Sequence, residues 1–335
     1  MPSEPTVVAE RDGRIGRIVL NRPKALNALD IGMIRACTVA LRKWQDDPHI
    51  HAVVIEGAGD RAFCAGGDIR AVRQHHLENR PDLAEAFFSE EYALNYLIAT
   101  YPKPYIALVD GICMGGGIGV SVHGAYRVAS ENAVFAMPET AIGFLPDIGA
   151  TYFLPRLPGR LGLYLALTGT RMVGADAVHA GFATQFTSRE GLPALSRDLA
   201  ADGVAALARY AAPLPPFTLA PHRATIDSAF GATSMATLLH TLENAADEFS
   251  RDTAATLRTM SPSSLVWSLR LLHEGAGRTL RQCLDAELRA TRTLTPHHEF
   301  IEGVRAMVVD KDRQPHWQPS RVEDVDPAEI DRLLA

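Results

Sequence analysis

The spacing of hydrophobic residues changes along this chain and predicts two structural regions. In the first half, short apolar strands alternate with glycine-rich turns and helices. Residues 15–20 and 53–55 are strand-like, and a helical spacing follows the capping residue Asp30 until Pro48. From about residue 190 the chain has the Ala- and Leu-rich periodicity of helices and no good strand. Repeated strand, turn and helix is typical of an α/β layer with mostly parallel strands, in which loops after strand ends carry ligands.

This change of periodicity predicts the domain organisation. We expect an α/β catalytic core over residues 1–205 and a helical region over residues 206–335. A proline-rich segment at residues 213–216 has the composition of a linker. Ser261 followed by Pro262 is a capping residue with proline at the first helical position, so a helix is predicted to begin there.

Two glycine-rich turns each follow an apolar strand and precede a helix. They are Ala65-Gly66-Gly67-Asp68 and Met114-Gly115-Gly116-Gly117. Backbone N–H groups at such positions favour a developing negative charge, so the two turns together could form an oxyanion hole. One such turn alone is more often a place where a strand packs closely on a helix. The second turn is not a dinucleotide fingerprint, because the GxGxxG pattern fails at Val120.

Two carboxylates, Glu139 and Asp147, lie in an apolar, turn-rich segment beyond the second glycine turn. Ionised carboxylates are costly to bury without partners, so such positions usually serve chemistry, although ion-pair networks perturb carboxylates too. Glycine and proline between them exclude a continuous helix, and a tight loop could return Asp147 toward Glu139. Unequal environments would then let the pair divide roles. The alternative is a salt-bridged glutamate at the start of a helix.

A cysteine offers a competing catalytic hypothesis. Residues 111–115 fit the GxCxG spacing of a nucleophile elbow around Cys113, between a predicted strand and a predicted helix. Such a site also needs an acid and a histidine later in the chain, and no later histidine is marked by its neighbours. A small residue filling a turn is the commoner explanation.

Glu91 is a further candidate, on a helix predicted over residues 82–101. It neighbours Tyr92 and Phe88, so its carboxylate could turn toward the interior. A solvated helix face is the alternative, and the sequence alone does not separate the two.

Composition and charge exclude several functional classes. The chain is 47% hydrophobic and 21% charged, as in ordinary globular proteins. Its 4 cysteines match neither CxxC nor zinc-ribbon spacing, so neither disulfides nor structural zinc is indicated. A net charge of -6 without a basic cluster makes nucleic acid an unfavourable partner. No apolar run is long enough to span a membrane, and residues 1–11 are polar and acidic, so we expect a cytoplasmic location.

Several sequence blocks together resemble a known superfamily. Residues 21–29, residues 62–69 and Gly115-Gly116-Gly117 are similar to the successive motifs of the crotonase, or enoyl-CoA hydratase/isomerase, superfamily. A second set resembles its hydrolase branch, namely Glu90-Glu91-Tyr92, residues 137–147, residues 152–157 and residues 302–312. The resemblance covers nearly the whole chain and is weakest between about residues 190 and 255.

The resemblance implies a crotonase-like spiral of ββα units whose helical C-terminal part closes over the active site. It places the backbone N–H groups of Gly67 and Gly116 on a thioester oxygen. It also places the coenzyme A moiety near Lys24 and Ala65. Coenzyme A would enter as part of the substrate, with no other cofactor and no metal. A homo-oligomer, either a trimer or a hexamer, is also implied.

The resemblance further implies the activity and the catalytic residues. Hydratases of this superfamily use two glutamates; this chain keeps the second as Glu139 and has Gly119 where the first would stand. The hydrolase branch pairs the glutamate with an aspartate, here Asp147, and contacts substrate through Glu91. We therefore expect an acyl-CoA thioester hydrolase, in which Glu139 either attacks the carbonyl or activates water. A hydratase or isomerase, and a non-catalytic acyl-CoA-binding protein, are the alternatives.

Overall fold

The computed structural model describes residues 4–334 and divides them into two compact units. The first unit contains residues 4–68, 90–135 and 172–218. The second contains residues 69–89, 136–171 and 219–334. The division into residues 1–205 and 206–335 that the periodicity suggested remains a prediction.

Short strands alternate with helices over the first half of the chain. The strands are β1 (Val7–Asp12), β2 (Ile15–Leu20), β3 (Ala52–Gly57), β4 (Ala62–Cys64), β5 (Tyr105–Val109), β6 (Ile112–Met114), β7 (Tyr126–Ala129), β8 (Val134–Ala136), β9 (Met172–Val173) and β10 (Gln185–Phe186). The helices up to this point are α1 (Ile31–Gln45), α2 (Ile69–Leu77), α3 (Pro81–Ala99), α4 (Gly116–Val122), α5 (Ala150–Phe153), α6 (Leu161–Thr168) and α7 (Ala175–Ala180).

The rest of the described chain is helical. Its helices are α8 (Leu192–Asp202), α9 (Arg223–Ala229), α10 (Met235–Glu243), α11 (Glu248–Thr259), α12 (Pro262–Gly275), α13 (Leu280–Leu294), α14 (His298–Val304) and α15 (Pro327–Leu334). Short 3-10 helices lie at Pro23–Ala25, Glu139–Ile142, Leu154–Arg156, Arg189–Gly191, Gly203–Tyr210, Ala220–His222 and Val322–Asp324, and Arg305–Val309 forms a π-helical turn. The helical C-terminal part is therefore confirmed.

The strands form two sheets with a repeated chain order. The larger sheet has the order β1-β2-β3-β5-β7-β10, and all its neighbours are parallel except the β1–β2 hairpin. The smaller sheet has the order β4-β6-β8-β9. Two strands and then a helix follow one another along the chain in β1-β2-α1, β3-β4-α2 and β5-β6-α4. This succession confirms the predicted α/β class built from ββα units.

In the first unit, the central strands β3 and β5 of the large sheet are apolar on both faces. Val54 on β3 and Leu108 on β5 pack in one cluster with Leu195 and Leu199 of α8. The intervening residues, such as Ile55, are buried as well. Strands buried on both faces are continuous apolar runs rather than alternating ones, which is the pattern seen at residues 53–55.

In the second unit, α12 packs against α5 and α6, and α14 packs against α2 and the 3-10 turn at Glu139–Ile142. Two glycines permit these close approaches. A side chain at Gly275 would overlap the carbonyl oxygen of Thr151, and one at Gly303 would overlap the backbone of Ile142. These contacts hold the Glu139 turn and α5 against the helices of the same unit. Among residues 4–334, no helix combines the length and apolar composition needed to cross a bilayer.

A capping box begins α13, and its removal gives a test of helix stability. Thr279 Oγ1 accepts a hydrogen bond from the N–H of Gln282 at 3.3 Å, and Gln282 Oε1 accepts one from the N–H of Thr279 at 2.9 Å. We expect Thr279→Ala to lower the free energy of unfolding by about 1 kcal/mol. Urea unfolding with an unchanged m-value measures this, and Thr279→Ser is the control that keeps the cap. Equal midpoints for the two variants would show that the cap contributes nothing.

Candidate active site

The first glycine turn is tied to the segment that follows β2. The N–H of Ala65 donates to the carbonyl of Leu26 at 3.0 Å, and Leu29 exchanges bonds with Gly66 O and Asp68 N, both at 2.8 Å. In this parallel bridge the bonds flank Gly67, so its own N–H points away from Leu29. Gly66 has φ +117°, a conformation that favours glycine.

The second glycine turn lies directly against the first, within the same unit. Gly115 has φ +45° and leads into α4, whose first residue is Gly116. N–H groups in the first turn of a helix have no intrahelical partner, so that of Gly116 remains available. A Cβ on Gly116 would stand 3.1 Å from the backbone N of Gly67. The structure therefore brings together the two glycines named from the sequence.

Glu91 is the acid of α3 that turns inward. It is 2% exposed, whereas its neighbour Glu90 pairs with Arg35 at 2.7 Å on the exposed side. A side chain added at Gly116 would overlap Glu91 Oε1, so the carboxylate lies against the second glycine turn. The interior orientation, one of the two alternatives left open by the sequence, is the one observed.

Lys24 and Ala65 lie on neighbouring segments of the first unit. Lys24 is exposed in the 3-10 helix Pro23–Ala25, and Ala65 is half-buried. The hydrogen bond from Ala65 to Leu26 joins the two segments. A ligand lying along these two segments could contact both Lys24 and Ala65.

Glu139 is a buried carboxyl group of the second unit. It begins the 3-10 helix Glu139–Ile142 and is 4% exposed. Its Oε2 is buried and has no hydrogen-bond partner among residues 4–334. Burial first, and the charge of Asp147 second, raise the pKa of Glu139 well above its usual range. A carboxyl group in this state can carry a proton and, once ionised, is a stronger base than an ordinary carboxylate.

Asp147 lies close enough for its charge to act on Glu139, and it is 5% exposed. The structure thus brings the two acids of the sequence analysis together within one unit. Contacts from α12 hold the loop between them. Ser264 Oγ donates to the carbonyl oxygen of Phe144, and the N–H of Ser261 donates to that of Thr140 at 3.1 Å.

The sequence analysis missed a third buried acid, Glu287 on α13, which is fully buried. It accepts three hydrogen bonds from Gly149 and Thr151, just beyond Asp147. A signal existed in the sequence, because Glu287 falls on the apolar stripe of its helix with Cys283, Ala290 and Leu294. An acid inside such a stripe needs partners.

Cys113 does not have the setting of a nucleophile. It lies within β6 rather than at the turn, is fully buried, and has Ser121 Oγ at 3.6 Å. Burial raises the pKa of its thiol well above the usual range, which disfavours the reactive thiolate. The other cysteines, at positions 37, 64 and 283, are free and buried as well.

Comparison with known proteins places this arrangement in a family. A family model described as enoyl-CoA hydratase/isomerase matches residues 15–334. The chain belongs to the enoyl-CoA hydratase/isomerase family. This confirms the superfamily that the sequence blocks resemble.

Individual members of the enoyl-CoA hydratase/isomerase family are similar over most of the chain. A Xenopus tropicalis protein named 3-hydroxyisobutyryl-CoA hydrolase, mitochondrial, is 49% identical over 95% of this chain and 86% of its own. The Homo sapiens protein of the same name is 43% identical over the same shares. A crystal structure of a carnitinyl-CoA dehydratase from Mycobacterium thermoresistibile has a TM-score of 0.95 and 37% identity, and the match covers 99% of this chain and 97% of that one.

The names of these family members correct one expectation. Both hydrolase relatives are named mitochondrial, which contradicts the predicted cytoplasmic location. That prediction rested on the polar composition of residues 1–11, and a missing leader pattern does not identify a compartment.

The raised pKa of Glu139 predicts a pH-dependent gain in stability on its replacement. Because the folded state holds this proton more tightly than the unfolded chain, wild-type stability falls as pH rises above the unfolded value near 4.5. Glu139→Gln removes that loss. We expect the melting temperature of the variant to exceed that of the wild type by roughly 2 °C or more at pH 8, and by less at pH 5.

Glu302→Gln is the matched control for this calorimetric comparison. A hydrogen bond from Arg305 lowers the pKa of Glu302 to about 2, so this group stays ionised in the folded state from pH 5 to 8. Its replacement should change the melting temperature by a nearly constant amount over that range. A difference for Glu139→Gln that is equally independent of pH would contradict the assignment.

Proposed function

We propose that this protein hydrolyses the thioester of 3-hydroxyisobutyryl-CoA to 3-hydroxyisobutyrate and coenzyme A, a step of valine catabolism. The observation that carries the proposal is the buried acid pair Glu139 and Asp147 in a chain that is 49% identical to a protein named for this hydrolysis. Hydrolysis needs a group that either attacks the acyl carbon or activates a water molecule, and Glu139 has the environment for either task.

In this proposal, backbone N–H groups form the oxyanion hole. As the acyl carbon becomes tetrahedral, the thioester oxygen gains negative charge, and the N–H groups of Gly67 and Gly116 would donate to it. Each donor of this kind is worth about 3 kcal/mol in related acyl-transfer chemistry. The close approach of the two glycine turns supports this assignment.

Glu139 would act on the acyl carbon by one of two routes. In the first, its carboxylate attacks the carbon, coenzyme A leaves as a thiolate, and water opens the mixed anhydride. In the second, the carboxylate takes a proton from the water that attacks. Asp147 would orient the reacting group and assist proton transfer to the leaving thiolate in both routes.

The remaining residues would recognise substrate. Glu91 lies against Gly116, and this supports a contact between its carboxylate and an acyl group held at the glycine turns. A carboxylate accepts hydrogen bonds, so Glu91 would hold the substrate's hydroxyl group. The coenzyme A moiety would lie along the segments of Lys24 and Ala65. Assembly into a trimer or hexamer is also part of the proposal.

A hydratase or dehydratase is the second candidate, because the structurally similar Mycobacterium thermoresistibile protein is titled a carnitinyl-CoA dehydratase. Residue 119 argues against this activity. Gly119 is buried in α4 and offers no acid where a hydratase's first glutamate would stand. A non-catalytic acyl-CoA-binding protein is less well supported, since binding alone does not require two buried acids.

Replacement of Glu139 tests the proposed chemistry. With 3-hydroxyisobutyryl-CoA in a panel of short acyl-CoA esters, the wild type should release thiol detectable by a thiol-reactive dye. Glu139→Gln should lower kcat by roughly hundredfold to ten-thousandfold, because the base or nucleophile is lost. Calorimetry should show that the variant still binds the ester.

Controls distinguish this result from the alternatives. Glu243→Gln, which removes an exposed partner of Arg258, should leave thiol release unchanged. Consumption of an unsaturated acyl-CoA without thiol release would identify a hydratase instead. Near-normal hydrolysis by folded Glu139→Gln would exclude Glu139 from both routes.

Oxygen labelling separates the two routes. In a single turnover in water enriched in ¹⁸O, opening of the anhydride at the glutamyl carbon leaves label on Glu139, which peptide mass spectrometry detects. Label confined to the product contradicts that opening and favours activated water.

A further inference from the structure

Glu287 accepts hydrogen bonds from Gly149 and Thr151, in the turn that follows Asp147. Its Oε2 accepts the N–H of Gly149 at 2.7 Å, and its Oε1 accepts the N–H and the hydroxyl of Thr151 at 2.9 and 2.6 Å. The carboxylate comes from α13, more than a hundred residues further along the chain, yet the residues that donate these bonds lie within four residues of Asp147. It therefore joins this turn to a long helix of the same unit.

The turn that Glu287 holds has an unfavourable backbone conformation. Ile148 has φ +57° and Gly149 has φ +82°, and the N–H of Ala150 closes the turn on the carbonyl of Asp147 at 2.9 Å. Left-handed backbone is rare for a β-branched residue and persists only where the surroundings impose it. The three bonds to Glu287 are such an imposed constraint, and they act on Gly149 and Thr151, the first and third residues after Ile148.

We propose that Glu287 is a positioning residue for Asp147, holding the Asp147–Thr151 turn so that the aspartate side chain stays directed at the reacting atoms. The inference rests on the proposed function. Glu287 itself does not touch substrate in this proposal; it acts only through the backbone of the turn. Its contribution is the fixed direction of Asp147, which catalysis needs to within a fraction of an ångström.

The electrostatic setting shows that an acid at position 287 is buried at a cost. Burial raises the pKa of Glu287 to about 8, the donors from Thr151 and Gly149 oppose that rise, and the charge of Asp147 adds to it. A second buried acid beside Asp147 costs stability, and an apolar residue would fill the same space without that cost. Retaining an acid there is explained by the three donors that only an acceptor with two oxygens can satisfy.

Glu287→Gln tests the proposal while keeping the shape of the side chain. The amide has one acceptor oxygen and one donor nitrogen, so a donor must face either Gly149 N–H or the Thr151 donors. We expect kcat for thiol release to fall by roughly tenfold to hundredfold, as for small misplacements of catalytic groups, while KM stays within about threefold. An unchanged kcat would overturn the proposal.

A variant of the same helix separates positioning from loss of stability. Leu294 is fully buried on α13, two turns beyond Glu287, and has no polar atom that could hold the turn. Leu294→Ala should lower the melting temperature with kcat within about twofold of the wild type. If its kcat falls as far as that of Glu287→Gln at equal loss of stability, the effect is structural and the proposal is wrong.

A double-mutant cycle with Asp147→Asn gives the sharper test. If Glu287 acts through Asp147, then Glu287→Gln should reduce kcat much less in the Asp147→Asn background than in the wild type. Equal losses in both backgrounds would overturn the inference. Should Glu287→Gln not fold, Thr151→Val removes one of the three donors with little change of shape, and its kcat should show the same dependence on Asp147.

These outcomes are distinct from failure of the proposed function. A wild-type protein that releases no thiol from any ester of the panel refutes the function. An active wild type with an equally active Asp147→Asn variant leaves the function standing and refutes the roles of Asp147 and Glu287. An active wild type with an impaired Asp147→Asn variant and an unimpaired Glu287→Gln variant refutes only the role of Glu287.

Discussion

Placing carboxyl groups among apolar side chains costs free energy unless hydrogen-bond donors or a change of protonation compensate. The buried acids of the second unit differ in how this cost is compensated. Glu287 accepts bonds from three donors, which oppose but do not cancel the rise in its pKa that burial causes. Glu139 has a buried oxygen without a partner among residues 4–334, and its pKa is raised. The compensated acid is suited to holding structure, and the uncompensated acid is suited to reaction.

In the first unit, glycines form the turns whose N–H groups would stabilise negative charge. Negative charge is most economically stabilised by N–H groups that are already fixed, since no reorganisation is needed during the reaction. Gly66 and Gly115 adopt left-handed backbone, and Gly116 leaves room for Glu91. A side chain at Gly116 would overlap Glu91 and crowd the backbone N of Gly67, whereas at Gly66 and Gly115 it is the backbone conformation that favours glycine.

Much of this was predictable from local patterns in the sequence. The strands β2 and β3, the helix after Asp30 and the helix start at Ser261-Pro262 follow from periodicity and capping, which act over a few residues. The strands of the small sheet span only two or three residues each, too few to show a period, and were not predicted.

The candidate site was predictable only where the sequence signal was local. Glu139 and Asp147 share one apolar segment, so a single stretch of sequence indicated both. Glu287 contacts Gly149 and Thr151 from a distant part of the chain, so the sequence indicated it only through its position on an apolar helix stripe. The inward turn of Glu91 depends on the packing of α3, which the identities of its neighbours leave undecided.

The burial of the thiols at positions 37, 64, 113 and 283 has a practical consequence for work with this protein. A reagent that forms a coloured product with the thiol of free coenzyme A should react little with the folded enzyme, because the sulfhydryls of the enzyme are shielded from solvent. A slow increase in colour in the absence of ester would then report unfolding that exposes these cysteines. One reagent can therefore follow product formation and, in a blank, the integrity of the catalyst.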